Sequence, residues 1–273
     1  MLTTDITRDT TLCISLSGRP SNLGTRFHNF LYDELGLDYL DRAFTTSDIA
    51  AAVGGIRALG IRGAGISMPF KAAVIPLIDS LDDSASVIES VNTIVNTDGH
   101  LRGYNTDYSA VATLLDERGV PTDATVAVVG SGGMARACVA ALRDRGNTSG
   151  TVLARTEATG RALAEAYGYA WAAEITGDAP EVLVNATPIG MAGGPDVDAL
   201  PVPEEIVRSV RTVLEVVAMP PVTPLARLAQ EFGLTVITGT EVQALQAADQ
   251  FALYTGVRPT ADQAARAGDF SRS

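Results

Sequence analysis

Lys71 closes the run Arg62–Lys71, R-G-A-G-I-S-M-P-F-K, behind a proline and an aromatic residue at the end of an apolar strand pattern. A lysine kept only for solubility has little reason to stand there. Interconverting a carbonyl and an alcohol needs a group that gives a proton to the oxygen as hydride arrives and takes it back in reverse. A desolvated lysine, positioned by a carboxylate, suits that work. Asp107, just after Tyr104-Asn105-Thr106, is the carboxylate on offer, although it equally suits the acidic first turn of a helix. Asn92, in S-V-N-T-I, is a polar residue inside an apolar strand; it either hydrogen-bonds a turn or faces a ligand.

A second chemistry is written in Thr125–Ala137, T-V-A-V-V-G-S-G-G-M-A-R-A. Gly130, Ser131, Gly132 and Gly133 end a short buried-strand pattern and lead through Met134 and Ala135 straight into a helical one. Such a turn lets backbone approach a phosphate and aims the free N–H groups of a helix at it, with Ala135 as the third small residue of G-x-G-x-x-G/A. We read a dinucleotide site. NAD would call for an acidic residue about 20 residues on, to bind the ribose 2′-OH. The next strand ends instead in Ala154-Arg155-Thr156. A cation there favours the 2′-phosphate of NADP, unless Arg155 is simply a solvated strand-end residue. Asn185-Ala186-Thr187-Pro188-Ile189-Gly190-Met191 ends a further strand, either at a ligand, with Thr187 toward the cofactor, or as a plain Pro–Gly loop.

The elements that must position these residues alternate. In the first half, strands are expected at Leu12–Leu16, Leu40–Phe44, Gly63–Ser67, Ser90–Asn96 and Leu101–Tyr104, the last two joined by an Asp98-Gly99 turn. Helices are expected from Thr25 to a stop at Gly36, over Asp48–Leu59 with Thr46/Ser47 as cap and Gly60 as stop, and over Ala72–Leu81. After the helix Tyr108–Arg118, strands Val126–Val129, Thr151–Ala154, Val182–Asn185, Thr212–Val217 and Leu234–Ile237 alternate with helices, which predicts a doubly wound parallel sheet. A last helix, Glu241–Tyr254, precedes a small polar tail, Ala264–Ser273, expected to fray. The fold class is α/β: two αβ domains, with a cleft between them for cofactor and substrate.

Composition narrows the function. The 273 residues, 46% hydrophobic, can bury a sizeable core, and the net charge of −12 argues against a nucleic-acid surface. No basic-plus-apolar leader and no long apolar run is present, so a cytoplasmic location away from membranes is expected. The two cysteines, Cys13 and Cys138, read as small buried hydrophobes. His28 and His100 lie far from any ligand pattern, so no metal site is expected.

Six stretches in order resemble the shikimate dehydrogenase family along nearly the whole chain: Ser67–Lys71 (S-M-P-F-K), Glu89–Thr93 (E-S-V-N-T), Tyr104–Asp107 (Y-N-T-D), Gly130–Ala135 (G-S-G-G-M-A), Asn185–Met191 (N-A-T-P-I-G-M) and Ala244–Phe251 (A-L-Q-A-A-D-Q-F). The resemblance implies a substrate domain over residues 1–106, completed by a C-terminal helix at 240–273, and a Rossmann-type NADP domain over 107–239. It implies reversible reduction of 3-dehydroshikimate to shikimate, by a monomer or homodimer. Lys71 and Asp107 would be the catalytic pair. Ser67, Asn92 and Gln246 would hydrogen-bond substrate hydroxyls, and Gly239 would lie near the nicotinamide.

The sequence departs from the family at three places. The Ser-x-Ser-Pro loop that grips the substrate carboxylate is here Ser21-Asn22-Leu23-Gly24-Thr25, leaving Asn22 and Thr25 for that work. An Asn in the strand before Lys71 is Gly65, and the Asp-…-Tyr-x-Pro segment is Glu215–Pro220, E-V-V-A-M-P. Ser15–Thr25 and Val216–Pro220 look like the divergent subgroup called shikimate dehydrogenase-like proteins. Two other functions compete: a quinate or other cyclic hydroxy-acid dehydrogenase, which for NAD would want an acid where Arg155 stands, and a non-catalytic NADPH or metabolite sensor, which would have no use for Lys71 and Asp107.

Overall fold

Parallel strands β1 (Thr11–Ser17), β2 (Tyr39–Thr45) and β3 (Gly63–Ile66) form one side of a mixed sheet; β5 (Thr93–Thr97) and β6 (His100–Tyr104) continue it antiparallel, in the order β2-β1-β3-β5-β6 with β4 (Ser80–Leu81) at the far edge. The hairpin between β5 and β6 turns on Asp98 and Gly99, both at positive φ (51° and 88°), the conformation a two-residue Asp-Gly turn requires. This computed structural model describes residues 6–273. Helices α1 (Leu23–Glu34) and α2 (Ile49–Ala58) end, as expected, where Gly36 and Gly60 take left-handed φ of 63°.

The helix expected over Ala72–Leu81 does not form. Turns, a short 3₁₀ segment at Ile75–Leu77 and β4 occupy that stretch, ahead of the one-turn helix α3 (Asp83–Ser86). Pro76 explains the correction: inside an α-helix its ring would strike the carbonyl of Ala72 and remove a ladder hydrogen bond. The cap of α2 is also corrected, from Thr46/Ser47 to Asp48, whose carboxylate accepts from the Ala51 amide at 2.9 Å.

A second sheet, parallel throughout, runs β12-β11-β10-β7-β8-β9. Its strands are β7 (Val126–Val129), β8 (Gly150–Leu153), β9 (Ala170–Ala172), β10 (Val182–Asn185), β11 (Thr212–Glu215) and β12 (Thr235–Ile237), with helices α6 (Glu157–Tyr167), α7 (Glu204–Ser209) and α8 (Pro224–Glu231) in the later connections. Counted from β7 this is the 3-2-1-4-5-6 order of a Rossmann sheet, with the switch point between β7 and β10. The three-residue β9 escaped the sequence pattern because A-W-A on a sheet edge carries too little periodicity.

The chain divides into two compact units, Met1–Thr106 with Ala244–Ser273, and Asp107–Gln243. It returns to the first within helix α9 (Gly239–Thr255). The tail is the third correction: instead of fraying it forms α10 (Ala261–Arg272), started by a Thr260/Gln263 capping box. Ala264 and Ala267 bury against Phe27, Leu31 and Phe251, so small residues here permit close helix packing rather than disorder. Cys13 and Cys138 are free and buried, and burial pushes the Cys13 thiol up to about 12. No helix among the described residues is long and apolar enough to cross a membrane.

Candidate active site

At the carboxyl edge of the Rossmann sheet, β7 ends at Gly130 with φ of 117°. A Cβ there would lie 2.8 Å from the Ala186 carbonyl oxygen and 3.2 Å from Thr187 Cγ2, so only glycine lets the two switch-point strands end side by side. Gly132 then caps α5 (Gly133–Arg145), whose first-turn amides have no intrahelical acceptor. A Cβ on Gly132 or Gly133 would meet nothing within 4 Å, whereas Ala135 is fully buried. Open space before free amides, with close packing behind, fits a dinucleotide pyrophosphate.

Around that turn, Ser131 Oγ and Thr159 Oγ1 share a hydrogen bond of 2.9 Å, and Met134 lies half-buried at the start of α5. Arg155 is exposed just beyond β8 and has no hydrogen-bond or ionic partner among the described residues. Arg161 is otherwise engaged: it pairs with Glu157 at 2.6 Å and lies over the Trp171 ring. Arg155 is therefore the cation of this segment with its guanidinium available to a 2′-phosphate.

The Asn185–Gly190 loop is held from within. Asn185 Oδ1 accepts from the Thr187 amide (3.2 Å) and hydroxyl (2.6 Å), while its Nδ2 donates to both oxygens of Glu215. Glu215, 1% exposed at the end of β11, also accepts from the Val217 amide (2.9 Å) and the Thr223 hydroxyl (2.8 Å). Burial pushes its carboxyl up to about 7, against these four donor contacts, which favour the charged form. Gly239, at the start of α9, touches the same segment: a Cβ there would come within 2.3 Å of the Val217 carbonyl oxygen. Gly239 is thus glycine for close backbone approach. Glu215 was missed as a positioning residue, although a carboxylate closing the apolar run T-V-L-E was the available signal.

The other unit carries its own polar cluster. Asn92 Oδ1 accepts from the Thr106 amide and the Thr93 hydroxyl, both at 2.8 Å, and its Nδ2 donates to Thr106 Oγ1 at 3.0 Å. Thr106 Oγ1 in turn reaches Gln246 Oε1 at 3.3 Å, and Gln250 Nε2 donates to Thr93 Oγ1 at 2.9 Å. Asn92 thus ties the start of the helix at Thr106 to Thr93, with one Nδ2 hydrogen remaining. Gln250, Thr93 and Thr106 were not singled out in the sequence. Ser67 is exposed after β3, and Lys71 is half-buried, its carbonyl accepting from the Val91 amide at 2.8 Å. Asp107 lies in the first turn of α4 (Thr106–Glu117). Asn22 is exposed at the N-cap of α1 and makes no capping bond, whereas the Thr25 hydroxyl points inward and donates to the buried Asp41 at 3.1 Å.

A strand-order reversal at a glycine turn, with a free cation at the neighbouring strand end, defines a nucleotide-dependent enzyme of the Rossmann class. Comparison with known proteins narrows it. Residues 21–94 match the model of the shikimate dehydrogenase substrate binding domain. The chain is 48% identical over 268 residues to a shikimate dehydrogenase-like protein of Haemophilus influenzae, covering 98% of this chain and 99% of that one. It is 32% identical over 254 residues to the NADP(+) shikimate dehydrogenase of Methanothermobacter thermautotrophicus, covering 88% and 89%. Among solved structures, the shikimate 5-dehydrogenase of Thermus thermophilus in complex with NADP(H) and shikimate superposes with a TM-score of 0.85 at 30% identity, over 96% of this chain and 100% of that one. The chain belongs to the shikimate dehydrogenase family.

Proposed function

We propose that this protein is an NADP-dependent oxidoreductase that interconverts 3-dehydroshikimate and shikimate. One observation carries the reading: the Gly130 turn sits at the β7/β10 switch point, with Arg155 unpaired where an NAD enzyme would place an acid. The family relationship supplies the substrate class, since relatives alike over most of the chain are named for shikimate and NADP(+). When bound, NADP supplies or accepts the hydride. Gly130 through Ala135, Thr187 and Gly239 would hold it, and Arg155 would meet its 2′-phosphate.

Lys71 then gives a proton to the carbonyl oxygen during reduction and recovers it during oxidation, with Asp107 to position the ammonium group. Asn22, Thr25, Ser67, Asn92 and Gln246 would line the place of the acid, with Asn92 anchored by Thr93 and Thr106. The reading carries with it a cytoplasmic place in aromatic amino-acid biosynthesis, which buried, unpaired thiols at Cys13 and Cys138 suit. The test is NADP reduction by the purified protein, with shikimate and quinate each offered with NADP and with NAD. Shikimate turnover with NADP that disappears in Lys71→Ala, while NADPH still binds, is the expected result. Cofactor binding with no oxidation of either acid would sink the reading.

A further inference from the structure

The Ser15 hydroxyl, on β1, stands between two glycines. Its Oγ lies 3.5 Å from where a Cβ on Gly24 would be and 3.4 Å from where one on Gly65 would be. Gly24 is in the first turn of α1 and Gly65 on β3, so two elements that could cover the hydroxyl carry no side chain beside it. Ser15 is half-buried, and its side chain makes no hydrogen bond to any described residue. Its Oγ is not sealed from solvent, so a ligand can reach it, and the polar side chains around it are committed elsewhere. Thr25 spends its one hydroxyl proton on Asp41, and Gln250 donates to Thr93 and to the Asn92 carbonyl.

We infer that Ser15 donates a hydrogen bond to the carboxylate of the bound acid. The inference rests on the reading of this protein as a shikimate-type dehydrogenase and names a residue of its substrate grip. A carboxylate accepts only, so it needs donors. Of the residues the sequence offered for this work, Thr25 has its proton committed inward, leaving Asn22 on the exposed rim. Ser15 supplies a free proton beside the α1 first turn, where backbone amides without intrahelical acceptors favour an anion. Gly65, with no side chain, leaves room in front of that hydroxyl.

The experiment is steady-state kinetics of Ser15→Ala and Gly65→Ala on shikimate and on shikimate methyl ester. Losing a hydrogen bond to a charged group costs affinity roughly tenfold or more. Ser15→Ala is therefore expected to raise the KM for shikimate by about that factor, with kcat and the NADP KM within about twofold. Gly65→Ala, whose methyl would shield the hydroxyl, should act in the same direction. On the methyl ester, Ser15→Ala should change little. An unchanged shikimate KM in an otherwise active Ser15→Ala enzyme overturns the inference and leaves the function standing. Equal losses on acid and ester also overturn it, placing Ser15 against another part of the substrate. A wild-type protein that oxidises no acid removes the functional reading, and this inference with it.

Discussion

Asn185 Nδ2 donates to both carboxylate oxygens of Glu215, at 3.0 and 3.1 Å, across the paired ends of β10 and β11. The same asparagine fixes Thr187 through its carbonyl oxygen, and Thr187 stands beside the Gly130 turn. One buried carboxylate therefore holds the cofactor side of the Rossmann edge in register. Every group bonded to it is a donor. Glu215→Gln would turn an amide toward these donors and is expected to destabilise the fold by about 2–4 kcal/mol, read by urea unfolding at neutral pH.

The same group gives the protein a pH dependence of definite sign. Unfolded, its carboxyl ionises near the ordinary 4.5; folded, burial raises it to about 7, so the folded state holds the proton more tightly. Its contribution is fully present below 4.5 and is lost as pH rises to about 7. At 1.36 kcal/mol per unit, that loss is about 3 kcal/mol. Unfolding free energy measured from pH 5 to pH 8 should show this downward component in the wild type and lack it in Glu215→Gln. Equal slopes would place the titration elsewhere.

The glycines of the turn separate into two kinds. Gly130→Ala sets a methyl 2.8 Å from the Ala186 carbonyl oxygen at a φ of 117°, and should lower stability by about 2–4 kcal/mol. Gly133→Ala meets nothing within 4 Å and should leave the melting temperature within a few degrees, while NADPH affinity falls at least about tenfold. Paired thermal melts and NADPH titrations of the two variants check this.

Arg155→Asp reverses the charge at the end of β8 and supplies the acid that a ribose 2′-OH prefers. The ratio of kcat/KM for NADP to that for NAD should fall by about two orders of magnitude, as expected for losing a charge-assisted contact to phosphate and adding repulsion. An unchanged ratio would remove Arg155 from the cofactor site.

Truncation after Thr260 deletes α10 and bares the face of α1 that carries Phe27 and Leu31. The truncated protein is expected to melt at least about 10 °C lower, because several buried side chains lose their cover at once. Thr260→Ala, which removes only the capping box, should cost about 1 kcal/mol.

The Rossmann half was legible because its strands are short apolar runs bounded by glycine or polar residues; Val126–Val129 and Val182–Asn185 form as read. The N-terminal half was less so. Pro76 interrupts a stretch that is apolar at helical spacing, and local composition said tail where Ala264 and Ala267 say packed helix. The site showed the same limit. Glycine turns and an out-of-place lysine announce themselves along the chain. Whether Thr25 faces a ligand or Asp41, and whether Ser15 is covered, depends on partners 16 residues away or on absent side chains at Gly24 and Gly65.

The division of the chain bears on how it is made. Residues 107–243 interrupt a unit whose last helices, α9 and α10, pack on α1 from more than 200 residues further along. A ribosome therefore releases the whole Rossmann unit, able to close its own sheet, before the first-encoded strands receive their helical cover. The domain begun first is finished last, and its apolar α1 face waits through most of synthesis exposed to any chaperone that reads hydrophobic surface.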